Sequence, residues 1–130
     1  MHGAIDLVGR LMMAAIFVNS GVGKALGFAG TSAMLASKGF PAPDLVLVLT
    51  ILIEVGGGLL LVVGWNMRYA AVVLAAFTIA AGIIFHDFWR RRGGPPAEHT
   101  NQLNHFMKNV AIAGGLLVVA ARRQEPRDVA

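Results

Sequence analysis

The chain contains no cysteine, which excludes structural disulfides and any thiol–disulfide redox chemistry carried by its own side chains. Charge is nearly as scarce: 14% of its 130 residues are Asp, Glu, Lys or Arg, against 56% hydrophobic. That balance is too apolar for an ordinary soluble domain and matches a four-span membrane protein of one domain over residues 1–130. The formal charge of +4 would ordinarily raise nucleic acid as a partner. The basic residues sit mainly at the ends of apolar runs, where headgroups hold them, so no nucleic-acid partner is expected. A phosphate loop is missing too, because GVGKALG lacks a preceding strand and the full spacing, so Lys24 is no nucleotide-binding lysine. There is no HExxH-type metal signature and no haem or flavin fingerprint; electrons in any redox chemistry must come from a partner subunit or a bound cofactor.

What is present is a set of long apolar runs, of which residues 45–65, LVLVLTILIEVGGGLLLVVGW, are the most informative. They are apolar apart from Thr50 and one carboxylate, Glu54, near the middle. About 20 apolar residues cross a bilayer core as a helix, which puts Glu54 near the midplane. A charge there is costly, so such a residue faces protein or water and finds a partner. The triplet Gly56-Gly57-Gly58 follows directly, leaving backbone uncovered for tight helix contact or for a ligand.

The remaining spans are expected at about residues 5–26, 68–89 and 103–121, with the second at 44–65. In the first, Asp6 and Arg10 open a long apolar run where a secretory leader would carry a basic region and cleavage site, so a retained span is expected. Its second half is polar on one side: Asn19 with Gly23, and Ser20 with Lys24, are i, i+4 pairs on adjacent stripes. Residues 27–44 predict a short interfacial helix ended by Lys38-Gly39, after which PAPD stops the chain and sets Asp44 as N-cap of the second span. Asn66, Met67 and Arg68 predict a very short turn. The third span closes on His86-Asp87-Phe88-Trp89 and three arginines, residues 93–102 read as a polar loop, and the fourth span carries His105, Lys108 and Asn109 on one face.

Antiparallel alternation then brings Lys24, His86, Asp87, His105 and Lys108 to one side of the membrane, each within about 15 Å of the depth of Glu54 at 1.5 Å per residue. The other half of the all-α four-helix antiparallel bundle is expected to be almost purely apolar. Glu54 is read either as a structural partner of Lys24 or Lys108, as a protonated acid held between helices, or as a site residue. His86 and Asp87 are read either as interface residues or as a proton relay, an imidazole oriented by a carboxylate. Two histidines with Asp87 or Glu54 would suit iron, zinc or copper, but no compact ligand signature supports it and no metal is assigned.

The blocks GRLMMAAIFVNSGVGKALGFAGTSAMLASKGFPAP, the glutamate and glycine run of the second span, FHDFW, and NQLNHFMKN together resemble the DoxX family of small four-helix membrane proteins, in that family's order. The resemblance implies a polytopic bacterial-type membrane protein. It further implies a connection to membrane oxidoreductases, since the family is named for a subunit of a thiosulfate:quinone oxidoreductase. The positions that match its pattern are Lys24, Glu54, His86, Asp87, Asn104, Lys108 and Asn109.

Two functional classes follow. In the first, the chain is a membrane subunit of a quinone-linked oxidoreductase, with Glu54, His86, Asp87 and Lys108 as catalytic candidates and Lys24, Asn19, His105, Asn109 and Asn104 contacting a quinone headgroup. In the second it is a non-enzymatic protein that binds lipid or a small solute or assembles a complex. A proton-coupled transporter is a weaker third idea that would need two copies. Expected partners are the lipid membrane, a redox subunit and further copies of itself. The expected location is the inner (plasma) membrane, with a slight excess of basic residues favouring cytoplasmic termini.

Overall fold

The computed structural model describes residues 2–86 and 96–122. Every regular element among them is helical, and four helical stretches are long and apolar enough to cross a membrane: Gly3–Leu26, Pro43–Val63, Met67–Phe85 and Pro96–Ala121. Their contacts group the chain into two compact units, Met1–Leu74 and Ala75–Ala130.

In the first unit, α1 (His2–Leu26) turns one stripe inward, Arg10, Ala14, Phe17, Gly21 and Lys24, at alternating steps of four and three. That stripe packs on the second half of the second span. Glycine makes the approach close. A Cβ added at Gly21 would lie 2.5 Å from Val55 Cγ2, and one at Gly58 would lie 2.8 Å from Val18 Cγ2. This is how membrane helices associate without water to exclude.

At Gly27 (φ −104°, ψ 37°) the backbone leaves helical geometry for one residue, and α2 (Phe28–Ser37) begins. Gly27 keeps both neighbouring ladder bonds, donating to Gly23 O and accepting from Thr31 N, each at 3.0 Å. A short helix is therefore present where residues 27–44 predicted one. It packs along α3 (Pro43–Ile51), burying Ser32 and Leu35, and the Ser32 hydroxyl donates to the Asp44 carboxylate. It ends as expected at Lys38-Gly39: Gly39 adopts φ 86°, and Phe40 N–H reaches back to Leu35 O at 3.2 Å.

The second span departs from its sequence reading at two points. Asp44 is not the N-cap. Ala42 holds that position in a left-handed conformation (φ 47°, ψ 61°), and Pro43 opens the helix, where its missing N–H costs nothing. Asp44 falls in the first turn, on the favourable side of the helix dipole, with its carboxylate taken by Ser32. The helix is also not uniform: after α3 comes one π-turn, Leu52–Gly56, before α4 (Gly57–Val63). A run apolar on every side carries no phase from which an extra residue could be read. The wide turn points Glu54 inward with Leu47, Gly58 and Leu61.

α4 stops at Gly64 (φ 81°), whose N–H bonds Leu60 O at 2.8 Å. Trp65 and Asn66 complete the turn, so it sits two residues before the predicted Asn66-Met67-Arg68, and Met67 already opens α5 (Met67–Phe85). Gly57 lies against Leu74 of α5, where a Cβ would stand 2.9 Å from Cγ.

The second unit holds the rest of α5 and α6 (Pro96–Ala121). The predicted polar loop over 93–102 is corrected: residues from Pro96 onward are helical. Proline suits a first helical turn, and Glu98 there complements the positive helix end, so a segment that looks turn-rich is a helix start. Asn109, Ala113, Leu116 and Ala120 form the buried stripe of α6. Asp87 to Arg92 of the third span's predicted end lie outside the described residues.

Candidate functional site

Glu54 is fully buried, with side-chain exposure of 1%, and its Oε1 accepts from Lys24 Nζ at 2.6 Å. Of the two lysines the sequence allowed, Lys24 is the partner. The same ammonium donates to Ser20 Oγ at 2.7 Å, one helical turn back, so the Ser20–Lys24 stripe serves to aim the lysine. An ammonium has three N–H donors, and two are engaged. The other carboxylate oxygen, Glu54 Oε2, is buried with no hydrogen-bond partner. A buried acceptor without a donor is costly, and in native proteins it marks a strained or functional position.

The register of the unit sets the depth of this pair. Gly21 is level with Glu54 and Val55, Val18 with Gly58, and Ser32 with Asp44, while the long Lys24 and Arg10 side chains reach along the helix axis to their partners. Eleven residues separate Pro43 from Glu54 and nine separate Glu54 from Val63, about 16 and 14 Å of helix. Glu54 is therefore near the middle of its span.

The opposite end, expected to be almost purely apolar, carries one polar cluster. Arg10 Nη1 donates to Leu61 O at 2.7 Å and Val62 O at 3.3 Å, and its Nε donates to Asp6 Oδ2 at 2.8 Å. These carbonyls belong to the last turn of α4, where no backbone donor follows, so the guanidinium caps the negative end of that helix. Sequence reasoning counted Arg10 as a headgroup anchor; only its i, i+4 spacing to Asp6 hinted at more.

A second polar group lies within the second unit. His86 Nδ1 is 2.9 Å from Gln102 Oε1, and the His86 and His105 rings stack with centroids 5.0 Å apart. The amide oxygen only accepts, so Nδ1 is the donor of this bond. Gln102 was missed because the loop was extended through it; its i, i+3 spacing to His105 is the signal once α6 starts at Pro96.

The predicted residues fall in both units. Lys24 and Glu54 bond within the first unit, while His86 and His105 pair within the second. Asn109 is buried and donates Nδ2 to Thr78 O at 3.1 Å, beside Gly82, whose absent side chain admits it. Asn19, Asn104 and Lys108 are exposed, so Lys108 and Asn109, though adjacent on α6, occupy different surroundings. Asp87 lies outside the described residues. Among the described residues no group of three or more His, Asp or Glu side chains is placed to hold a metal ion.

Comparison with known proteins agrees with this architecture. The chain is 39% identical to inner membrane protein YqjF of Escherichia coli over 114 residues, covering 88% of this chain and 80% of the relative. It is 36% identical to inner membrane protein YphA of the same organism over 114 residues, covering 88% and 79%. No solved structure matches the chain. The DoxX family profile matches residues 5–87, which takes in Lys24, Glu54 and His86 and leaves the His105 to Asn109 block outside it. With four membrane-spanning helices, and relatives of similar length in the bacterial inner membrane, this chain is an inner-membrane protein belonging to the DoxX family.

Proposed function

We propose that the chain is the membrane-embedded subunit of a quinone-linked oxidoreductase system, and that Lys24 and Glu54 hold the quinone headgroup. The observation that carries this reading is the half-used ion pair: among the described residues, Lys24 has one N–H not engaged beside one buried, unpartnered oxygen on Glu54. A quinone carbonyl accepts from the first, and a quinol hydroxyl donates to the second. On oxidation a quinol releases two protons and two electrons. Glu54 takes one proton and water takes the other, and a partner subunit takes both electrons, since the chain carries no cysteine. An open apolar groove of about 530 Å³ over the same π-turn, bordered by Leu52, Ile53, Gly56, Leu60, Tyr69 and Val73, suits an isoprenoid tail.

The test is native mass spectrometry of protein purified in mild detergent, followed by titration with menaquinol and ubiquinol. Bound quinone in the wild type, lost in Glu54→Gln and Lys24→Met while His105→Ala retains it, supports the site. A quinone-free protein that binds neither quinol, but retains a phospholipid or a partner chain, turns the reading to the lipid-binding or assembly class.

A further inference from the structure

Polar groups in the first unit are distributed unevenly about the Lys24–Glu54 pair. Toward the Pro43 end lie the Gly27 break, Thr31, Ser32, Asp44 and Thr50, the last one turn from Glu54 on the same helix face. Toward the Val63 end, beyond Ser20 and Asn19, residues 11–18 and 57–63 carry no polar side chain until Arg10, fourteen residues or about 21 Å from Lys24. The two sides of the ion pair are therefore different media.

The break itself lies at depth. Gly21 is level with Glu54 and Val55, and Ser32 with Asp44, which sets Gly27 near residue 49, six residues or about 9 Å inside the Pro43 end. Hydrocarbon does not tolerate irregular backbone facing lipid; such backbone survives where protein covers it or water fills the space. Among the described residues of the first unit nothing covers it: Gly23, Ala25, Leu26 and Gly27 are exposed, Thr31 is half-exposed, and the Lys24 side chain retains 30% of its accessible surface. Lys24 is thus open on one flank and bonded on the other to a carboxylate at 1% exposure whose second oxygen has no donor.

The geometry points to a water-filled inlet that enters from the Pro43 side past Thr31 and Gly27 and ends on Lys24 and Glu54, supplying protons to Glu54 from one membrane face only. The step is a proton passing from water to Oε2 and back; no electron moves and no bond other than O–H is made or broken. It is independent of what else binds the pair, so a protein that binds no quinone keeps the inlet.

Absence of native cysteine makes the test direct. Single cysteines are placed at Gly23, Gly27 and Thr31, with Met12 and Ile16 as exposed positions on the apolar side. A Cβ at Gly23 meets nothing within 4 Å, and one at Gly27 meets only Gly23 O at 3.5 Å, so these variants fit the fold. Right-side-out and inverted vesicles are treated with a charged, membrane-impermeant thiosulfonate. N-ethylmaleimide applied after solubilisation in a denaturing detergent confirms that each thiol is present, and a single symmetric peak in size-exclusion chromatography confirms that each variant is folded. The inlet predicts labelling of G23C, G27C and T31C about tenfold faster than M12C and I16C, because the thiolate that reacts forms in water, and from one vesicle orientation only. A water-soluble carbodiimide with an amine should then modify Glu54 from that same face, read as a mass shift absent in Glu54→Gln. Thiols that react with maleimide but not with the charged reagent overturn the inlet. Equal labelling from both faces, or carbodiimide reaching Glu54 only from the other face, overturns its one-sidedness.

Discussion

Replacing Lys24 with methionine leaves the stem of the side chain and removes its charge, which strands the Glu54 carboxylate at 1% exposure without a donor on either oxygen. Breaking a buried pair from one side costs about 3–5 kcal/mol, because the uncompensated charge stays behind. The reverse change, Glu54→Gln, is milder. Lys24 keeps Ser20 as acceptor and is not enclosed, with 30% of its surface exposed, so the cost is about 1–2 kcal/mol. With both changes no charge is left to strand, and the unpartnered buried amide at position 54 leaves the double variant about 1–2 kcal/mol below the wild type. The cycle therefore predicts a coupling energy of at least ~2 kcal/mol, which contacting residues show and distant ones do not. Reversible unfolding of the four proteins in mixed micelles, titrated with a denaturing detergent, measures it. Costs that simply add in the double variant, or an Glu54→Gln protein less stable than Lys24→Met, would refute both the pairing and the asymmetry of burial on which the site is built.

Other consequences are open to the same assay. Gly21→Ala should destabilise by about 1–3 kcal/mol through the clash with Val55, whereas Gly23→Ala, with open space around it, should be neutral or slightly stabilising; equal effects would mean that α1 does not pack through Gly21. Arg10→Leu removes the cap on Leu61 O and Val62 O and should cost about 1–3 kcal/mol, with Arg10→Lys recovering only part, since a single ammonium cannot reproduce the guanidinium fork. In the second unit, Gly82→Ala brings a methyl to 3.3 Å from Asn109 Cβ and Nδ2 and should weaken the bond to Thr78 O. A cost of about 1 kcal/mol is expected, and it should largely vanish in an Asn109→Ala background, which lacks that bond.

Much of this protein was legible one residue at a time. Hydropathy alone places four spans, because 20-odd apolar residues with few charges have little choice but to cross lipid as helices. A lone carboxylate amid residues 45–65 announces itself as buried and partnered, and Gly39 marks the end of a short helix because a left-handed residue is needed there. What the sequence could not carry is anything that depends on phase or register between helices. The choice of Lys24 over Lys108 was made by how α1 slides along the second span, and the depth of Gly27 by the same slide. The π-turn under Glu54 was hidden because a helix apolar on every side has no periodic pattern for an extra residue to disturb. Arg10 looked like an anchor because the carbonyls it caps lie more than fifty residues away and carry no side-chain signature at all. Composition sets the solvent and the number of crossings; tertiary packing alone decides which polar atoms meet, and which one, Glu54 Oε2, is left without a partner.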